Sequence, residues 1–308
     1  MSIIVPGYYK KFRCIADKCR HSCCIGWEID IDDDTLAFYK CIKGDMGKRF
    51  NDCISEDGNA HFILSENERC PFLNNDGLCD IILELGEDSL CEICAEHPRF
   101  RNFYSSHTEL GIGLCCEEAA RIILSEKDAF SLVAIEGGES IKLSEEEKNI
   151  FSLRNRIFSL ICDRSLSFGK RFYKLADEFG ILPDDFLCEK LKPAFISLER
   201  LDENWTGILE NLSYSNLAFL DRSEYQLPLE QLFCYFIYRY FAEAVFDEKT
   251  VPRLKFAMAA CVLIGALWER HNKHYGIVDL CDMAEYSRMY SSEVEYSEEN
   301  ISIIFDII

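Results

Sequence analysis

The stretch Cys-Ile-Ala-Asp-Lys-Cys-Arg-His-Ser-Cys-Cys, residues 14–24, decides how this chain folds. It places four cysteines within eleven positions, in the spacing Cys14-x4-Cys19-x3-Cys23-Cys24. More cysteine motifs follow: Cys70-Pro71-Phe72-Leu73, Cys79, Cys91-x2-Cys94-x2-His97-Pro98-Arg99 and Cys115-Cys116. A loop that carries several thiols can bring them to one metal ion with little further loss of chain entropy. These compact groups therefore predict a metal centre.

The distribution of the 17 cysteines separates two kinds of thiol. Twelve of them lie within the first 116 residues. The first residues of the chain lack the long apolar segment of a secretory signal, so we expect a cytoplasmic protein. Disulfides are rare in that reducing compartment, which favours metal binding for the clustered thiols. The other five are expected to be small buried hydrophobic residues of helices: Cys162, Cys188, Cys234, Cys261 and Cys281.

The spacing of the cysteines leaves the identity of the metal open. It matches neither the ferredoxin pattern nor a standard zinc ribbon, and a single zinc ion would leave several thiols unused. An iron–sulfur cluster with supporting thiols, two clusters and a polynuclear zinc site all fit the pattern.

Composition narrows the range of partners. The chain has 308 residues, of which 48% are hydrophobic and 28% charged, as in a soluble globular protein. Its net charge of -21 argues against a nucleic-acid partner, because binding to nucleic acid requires basic side chains that neutralise phosphates. The longest apolar stretch, near residues 256–268, is shorter than the roughly 20 residues of a membrane helix. We expect it to be a buried helix, and we expect no membrane partner.

Two regions are predicted, residues 1–125 and residues 126–308. Scattered glycines and short apolar runs make the first an irregular Cys-rich metal-binding domain. Apolar periodicity predicts helices over 117–135, 144–167, 227–246, 252–273 and 277–290. Only brief strands are indicated, as in the alternating residues 27–31. The fold class is therefore mainly α, with the Cys-rich domain packed on a C-terminal helical bundle that could recognise a substrate.

A set of motifs then resembles a known family. They are Tyr8-Tyr9-x2-Phe12-x-Cys14-x4-Cys19-x3-Cys23-Cys24-x2-Trp27-x-Ile29, Cys70-Pro71-Phe72-Leu73, Gly77-Leu78-Cys79-x-Ile81, Leu85-Gly86-Glu87, Cys94-x2-His97-Pro98-Arg99 and Cys116-x-Glu118-Ala119-Ala120-Arg121. Together they resemble the bacterial flagellin lysine-N-methylases over roughly residues 8–125. The opening motif is also similar to a wider group of Cys-rich zinc- or iron-chelating domains.

The resemblance implies an activity and a cofactor. It implies methyl transfer from S-adenosylmethionine to lysine ε-amines of flagellin, or of another protein that presents lysines, by an enzyme with a [4Fe-4S] cluster. Zinc is the alternative metal. Carried over position by position, the ligand set is drawn from Cys14, Cys19, Cys23, Cys24, Cys70, Cys79, Cys94 and Cys116.

Four other residues near the cysteines each have a functional and a structural interpretation. Arg99 could bind a cofactor carboxylate and assist catalysis, or could form an ion pair. Trp27 could stack on the cofactor or pack in the core, and His97 could ligate the metal or stabilise its loop. Glu118 could act as the general base that supplies a neutral lysine amine, or could favour the N-terminus of a helix.

The pattern of glycines argues against one common way of binding S-adenosylmethionine. A class I methyltransferase would carry a Gly-rich turn after a strand of a parallel sheet, whereas Gly111-x-Gly113 lacks the third glycine. Two other functions fit the cysteines: a non-catalytic zinc-binding or interaction module, and an iron–sulfur electron-transfer protein.

Overall fold

The structure is a computed structural model that describes residues 2–137 and 142–307. Helices account for 60% of it and strands for 10%, which confirms the mainly α fold class. The chain divides into two compact units. The smaller comprises residues 13–100, and the larger comprises residues 1–12 together with 101–308. Residues 1–12 and 101–125, which belong to the first predicted region, lie in the larger unit. The predicted regions 1–125 and 126–308 stay a prediction. Packing of the Cys-rich region on the helical bundle stays a prediction.

Helices and strands alternate irregularly along the chain. The helices are α1 (Asp33–Cys41), α2 (Gly44–Cys53), α3 (Asp80–Leu85), α4 (Glu92–Glu96), α5 (Glu117–Ser125), α6 (Glu145–Ile161), α7 (Phe168–Glu178), α8 (Cys188–Ile196), α9 (Glu203–Glu210), α10 (Gln226–Tyr240), α11 (Ala244–Asp247), α12 (Thr250–Tyr275), α13 (Leu280–Tyr290) and α14 (Glu298–Ile307). The strands are β1 (Ser2–Pro6), β2 (Ile54–Ser55), β3 (His61–Phe62), β4 (Arg99–Phe103), β5 (His107–Ile112) and β6 (Leu132–Glu136).

The smaller unit has an aromatic and thiol core of its own. The rings of Tyr39 and Phe50 stack with their centroids 4.0 Å apart, and Phe72 packs 4.8 Å from Phe50. All three side chains are fully buried. Asp32 caps α1, since one carboxylate oxygen accepts from the Thr35 amide at 3.0 Å and the other from the Glu92 amide at 2.8 Å. The cap therefore ties the start of α1 to the start of α4.

The larger unit combines a small mixed sheet with a helical core. The sheet order is β4-β5-β1-β6, with β1 parallel to β5 and antiparallel to β6. This sheet differs from the extended parallel sheet of class I methyltransferases, as the missing third glycine predicted. Helices α10 and α12 form the centre, and their residues 229–238 and 256–268 are almost entirely buried.

Two helix predictions need correction. The helix predicted over 117–135 ends at Ser125, and residues 132–136 instead form β6, which pairs with β1. The helix predicted over 144–167 ends at Ile161, where Asp163 and Ser165 begin a hydrogen-bonded turn. In both cases the apolar residues follow a helical spacing, but the segment forms a paired strand or a turn instead. Periodicity alone does not reveal this.

The other predicted helices are present, with shifted ends. The helix predicted over 227–246 is α10, followed by a 3₁₀ turn and α11. Those predicted over 252–273 and 277–290 are α12 and α13. Residues 27–31 form no regular strand, although Asp30 makes one isolated bridge with His61. The alternation there places Ile29 and Ile31 in the core.

Helix α12 is longer than the apolar stretch that predicted it. Its 26 residues are long and apolar enough to cross a membrane by length and composition alone. Within the protein, however, 78% of its most apolar window is buried, which is equally typical of the core helix of a soluble protein. The expected burial of this segment is confirmed.

Candidate metal centre

The loop of residues 70–80 brings three cysteine segments of the smaller unit together. The backbone amide of Cys70 donates to the carbonyl of Cys24 at 2.8 Å, so these two cysteines lie side by side. Leu73 pairs with Cys79 across a tight turn. Gly77 adopts a φ of 76° in that turn, a conformation that glycine reaches without strain. Asn74 closes the turn by accepting from the Leu78 amide at 3.0 Å.

Arg49 fixes this loop from outside. Its guanidinium donates to the Pro71 carbonyl at 3.0 Å and to the Asp80 carboxylate at 2.9 Å. The same group lies 5.0 Å from the centre of the Phe72 ring. The two cysteines at either end of the loop, at positions 70 and 79, are therefore held by a cation and by a packed aromatic ring.

Five thiols of the smaller unit form what we call the thiol cluster. They pack in one hydrophobic core and also interact electrostatically with one another: Cys24, Cys70, Cys79, Cys91 and Cys94. Across residues 2–137 and 142–307, no three His, Cys, Asp or Glu side chains converge closely enough to hold a metal ion. The donor chemistry nevertheless fits a soft or borderline metal, because several thiols share one largely apolar environment.

The members of the thiol cluster differ in acidity. A hydrogen bond with Cys23 lowers the pKa of Cys24 to about 7, against the opposing effect of burial. Burial raises the pKa of Cys70 to about 12. Burial also raises the pKa of Cys79, although backbone amides in the first turn of α3 act in the opposite direction. Cys24 therefore ionises most readily among these three thiols. Because a cysteine binds a metal as the thiolate, Cys24 is the one most ready to act as a ligand.

A hydrogen bond between Cys91 and Cys94 shifts the pKa values of the two thiols in opposite directions. It lowers the pKa of Cys91 and is the main cause of the raised pKa of Cys94. Cys91 lies outside the ligand set that the family resemblance implies, yet it is 1% exposed and belongs to the thiol cluster. The signal that could have identified it is the Cys91-x2-Cys94 spacing itself, which places both thiols at the start of one short helix.

The remaining cysteines of the implied ligand set lie in other surroundings. Cys14 is exposed and its sulfur accepts from the Ala16 amide at 3.4 Å, while the Cys19 thiol donates to the His21 carbonyl at 3.2 Å. Cys116 belongs to the larger unit, where it is the N-cap residue of α5. The structure thus brings together four of the eight implied ligands, at positions 24, 70, 79 and 94, in the thiol cluster, and Cys23 joins them through its bond to Cys24.

Trp27 and His97 pack beside this region. The indole nitrogen of Trp27 donates to the Cys23 carbonyl at 2.6 Å, and its ring lies 6.3 Å from the His97 ring. Burial, with a smaller effect of the Arg99 charge, lowers the pKa of His97 to about 4. A neutral imidazole at physiological pH is compatible with either a metal ligand or a loop-stabilising group. The cofactor-stacking role of Trp27 stays a prediction.

Arg99 and Glu118 have structural partners in addition to their predicted roles. The Arg99 guanidinium donates to the Ala95 carbonyl at 3.1 Å, at the end of α4. Glu118 forms a two-pronged ion pair with Arg121, with both N–O distances at 2.6 Å. It lies in the first turn of α5, where a carboxylate favours the helix dipole. Their catalytic and cofactor-binding roles stay predictions.

The five cysteines outside the Cys-rich region are mostly structural. Cys188, Cys234 and Cys261 are buried, as expected, and Cys162 is half-buried with its sulfur 3.9 Å from that of Cys234. Cys281 is exposed, which corrects the expectation of burial. It lies in the first turn of α13, where its backbone amide donates to the capping carboxylate of Asp279 at 2.8 Å.

Comparison with known proteins identifies curated relatives. A lysine-N-methylase of Salmonella typhimurium (strain LT2) is 24% identical over 227 residues, which cover 68% of this chain and 55% of that protein. A lysine-N-methylase of Salmonella choleraesuis (strain SC-B67) matches to the same extent. The flagellar biosynthetic protein FliU of Salmonella muenchen is 27% identical over 139 residues, covering 43% of this chain and 82% of that protein.

The match covers only part of the length of these relatives. The chain spans about half the length of the lysine-N-methylases it matches. No family model matches the chain, and no solved structure matches it. The resemblance read from the cysteine motifs is nevertheless confirmed by these relatives. The chain is similar to these lysine-N-methylases over 227 residues.

Proposed function

We propose that this protein is a protein-lysine N-methyltransferase that uses S-adenosylmethionine and acts on lysines of flagellin or of another lysine-presenting protein. The observation that carries the proposal is the thiol cluster, found in a chain whose curated relatives are named lysine-N-methylase. The name of the relative FliU adds a flagellar context. We further propose a cytoplasmic location.

The proposed cofactor is a [4Fe-4S] cluster held by thiols of the smaller unit. Three of the thiols Cys24, Cys70, Cys79 and Cys94 would hold it, with Cys91 beside them. Bound by only three thiols, the cluster would supply a Lewis-acidic iron for the methionyl end of S-adenosylmethionine. Arg49 positions the loop that carries two of these thiols, and both thiols pack in the aromatic core.

The acceptor lysine must react as a neutral amine. A free lysine side chain has a pKa of about 10.4, so at neutral pH a protein group has to remove or repel its proton. The net charge of -21 favours encounter with a substrate that presents cationic side chains. The chain's own contribution is therefore to attract the lysine, shield it from water and accept its proton.

Metal analysis followed by a methylation assay tests the proposal. Protein purified without oxygen is assayed for iron, sulfide and zinc, and is then incubated with S-adenosylmethionine and flagellin. We expect a brown protein with roughly four irons and four sulfides, and a mass increase of one or more methyl groups on flagellin lysines.

Each other outcome favours a different function. Zinc alone in a colourless protein would point to the non-catalytic module. An intact iron–sulfur cluster that yields no methylated lysine would contradict the methyltransferase and favour electron transfer.

A further inference from the structure

A buried polar network surrounds Glu295 in the larger unit. Glu295 is the last residue of a π-helical turn, Ser291–Glu295, and its side chain is completely shielded from solvent. The hydroxyl groups of Tyr235 and Tyr240 both donate to Oε1 of Glu295 at 2.8 Å. Short π-helical turns are uncommon and often occur at functional sites.

Arg239 completes this network. Its Nη1 atom lies 3.2 Å from Oε1 of Glu295 and donates to the Tyr235 hydroxyl at 2.6 Å. The guanidinium also lies 5.2 Å from the centre of the Tyr240 ring and 5.7 Å from that of Tyr296. One buried cation and one buried carboxylate are thus enclosed by aromatic rings.

The same segment carries polar atoms whose hydrogen bonds are incomplete. Among the residues that the structure describes, three buried side-chain atoms within 290–295 lack a hydrogen-bond partner: Tyr290 OH, Ser291 Oγ and Glu295 Oε2. Buried polar atoms are nearly always bonded, because leaving one unbonded costs about 1–3 kcal/mol. A group of them on six consecutive residues points to a polar ligand that bonds there.

The network reaches the protein surface at Tyr296. This side chain is 52% exposed, and its hydroxyl accepts from the Cys115 thiol at 2.8 Å. Cys115 directly precedes Cys116, which the family resemblance includes among the metal ligands. A ligand that entered at Tyr296 would pass the aromatic rings before it met the carboxylate of Glu295.

We propose that the Glu295 network, consisting of Tyr235, Arg239, Tyr240, Tyr290, Glu295 and Tyr296, binds the acceptor lysine. This inference rests on the proposed function. A lysine side chain suits the site because its four methylenes match aromatic walls and its amine matches acceptor atoms at the buried end. The Arg239 charge disfavours a second cation nearby, which promotes loss of the amine's proton.

Methyl transfer at this site conserves charge and atoms. The lysine ammonium gives one proton to Oε2 of Glu295. The nitrogen lone pair attacks the methyl carbon of S-adenosylmethionine; the C–N bond forms while the C–S bond breaks and its electron pair stays on sulfur. The products are a methylated lysine ammonium and S-adenosylhomocysteine, and Glu295 returns its proton to water when the product leaves.

Binding of two matched probes tests this site without relying on activity. Nα-acetyl-lysine methylamide and Nα-acetyl-norleucine methylamide have similar chains, but only the first carries the amine. Their affinities are measured by calorimetry on the full chain with its metal centre intact and with S-adenosylhomocysteine present. We expect the wild type to prefer the lysine probe by at least about tenfold, and Glu295→Gln to remove most of that preference.

A second variant keeps the test decisive if Glu295→Gln fails to fold. Tyr290→Phe removes a buried hydroxyl that has no partner in the described structure, so it should leave stability unchanged or slightly higher. We expect it to weaken the lysine probe by about tenfold while leaving S-adenosylhomocysteine affinity unchanged. Tyr225→Phe, in a fully buried tyrosine that packs against Trp268, is the matched control and should change neither affinity.

The outcomes separate this inference from the proposed function. If the wild type shows no preference for the lysine probe, or if Tyr290→Phe and Glu295→Gln retain it, the network does not bind lysine and its polar atoms bond to water instead. If the wild type methylates flagellin and the variants do so equally well, only this inference is wrong. A wild type that binds no S-adenosylhomocysteine and transfers no methyl group refutes both.

Discussion

Single thiols of this chain differ in acidity because of their immediate neighbours. The pKa of Cys24 is lowered to about 7 by its bond to Cys23, whereas burial raises that of Cys70 to about 12. The two lie side by side, since the Cys70 amide bonds the Cys24 carbonyl at 2.8 Å. An acidic thiol beside shielded ones is well placed to make the first bond to an incoming metal ion.

Replacing Cys24 tests that role. We expect Cys24→Ser, produced without oxygen, to lose at least about half of the bound metal, because the hydroxyl cannot replace a thiolate ligand. Cys41→Ser is the control, since Cys41 is exposed at the end of α1. Iron, sulfide and zinc content per chain is the measurement. Equal metal content in the two variants would show that Cys24 is no ligand.

At the residue level, the sequence predicted most of the thiol cluster but not the Glu295 network. The cysteines are recognisable because their spacing is compact and their residue type is specific. Tyr235 and Arg239 lie one helical turn apart on α10, whereas Glu295 lies in the π-helical turn after α13, and each is an ordinary residue in its local sequence. Only the packing of α10 against that turn brings Glu295 to the other two, so no spacing along the chain could reveal the network.

At the level of elements, a buried ion pair joins β5 to α6. The Glu109 carboxylate accepts from both terminal nitrogens of Arg154, at 2.5 and 2.7 Å, and both side chains are buried. Burial by itself would raise the pKa of Glu109, but the charge and hydrogen bonds of Arg154, with help from His107, lower it below 4.5. The pair therefore stabilises the folded state only while Glu109 is ionised.

This pair predicts a specific dependence of stability on pH. At neutral pH, Glu109→Gln should lower the free energy of unfolding by about 3–5 kcal/mol, because it leaves Arg154 as an unpaired buried charge. The stabilising contribution of Glu109 is complete above its unfolded pKa of about 4.5 and is lost as the pH falls through the lower folded pKa. The difference in the free energy of unfolding between wild type and variant should therefore become smaller at acidic pH.

Urea unfolding at neutral pH and at about pH 3.5 measures the effect. Glu145→Gln is the control, because Glu145 is exposed and pairs with Lys148 on the surface of α6. The Glu145→Gln substitution should lower the free energy of unfolding by no more than about 0.5 kcal/mol at either pH. A difference for Glu109→Gln that stays constant from neutral pH to acid would contradict the assigned charge state.

The elements themselves were partly predictable from local signals. Ser144 begins α6 with a complete capping box, since its hydroxyl accepts from the Glu147 amide and the Glu147 carboxylate accepts from the Ser144 amide. This start was predicted correctly. Strand β6 was missed because its partner β1 lies far away in sequence, near the start of the chain, and only the β-branched run Ile3-Ile4-Val5 hinted at a strand there.

At the scale of the whole molecule, the smaller unit should depend on the metal and the larger one should not. The thiol cluster forms part of a hydrophobic core of the smaller unit, and ionised thiols without metal would weaken that core. Removal of the metal by a chelator under reducing conditions should therefore accelerate amide hydrogen exchange across residues 13–100. Exchange in α10 and α12 should stay unchanged.

Hydrogen exchange monitored by mass spectrometry checks this expectation, with protein treated with buffer alone as the control. Uniform acceleration across both units would show that they unfold as one cooperative block. Unchanged exchange everywhere would show that the smaller unit is stable without metal, and would weaken the proposal of a metal centre.

Strand β1 has a consequence for synthesis of the protein. Residues 2–6 are synthesised well before their neighbours in the sheet, β5 and β6, in which His107 lies opposite Ser2 and Leu132 opposite Pro6. At roughly 5–20 residues per second, the strand waits at least about five seconds for its first partner. During that time it is an unpaired apolar edge that chaperones can bind, whereas the Cys-rich segment can acquire its metal before the larger unit is complete.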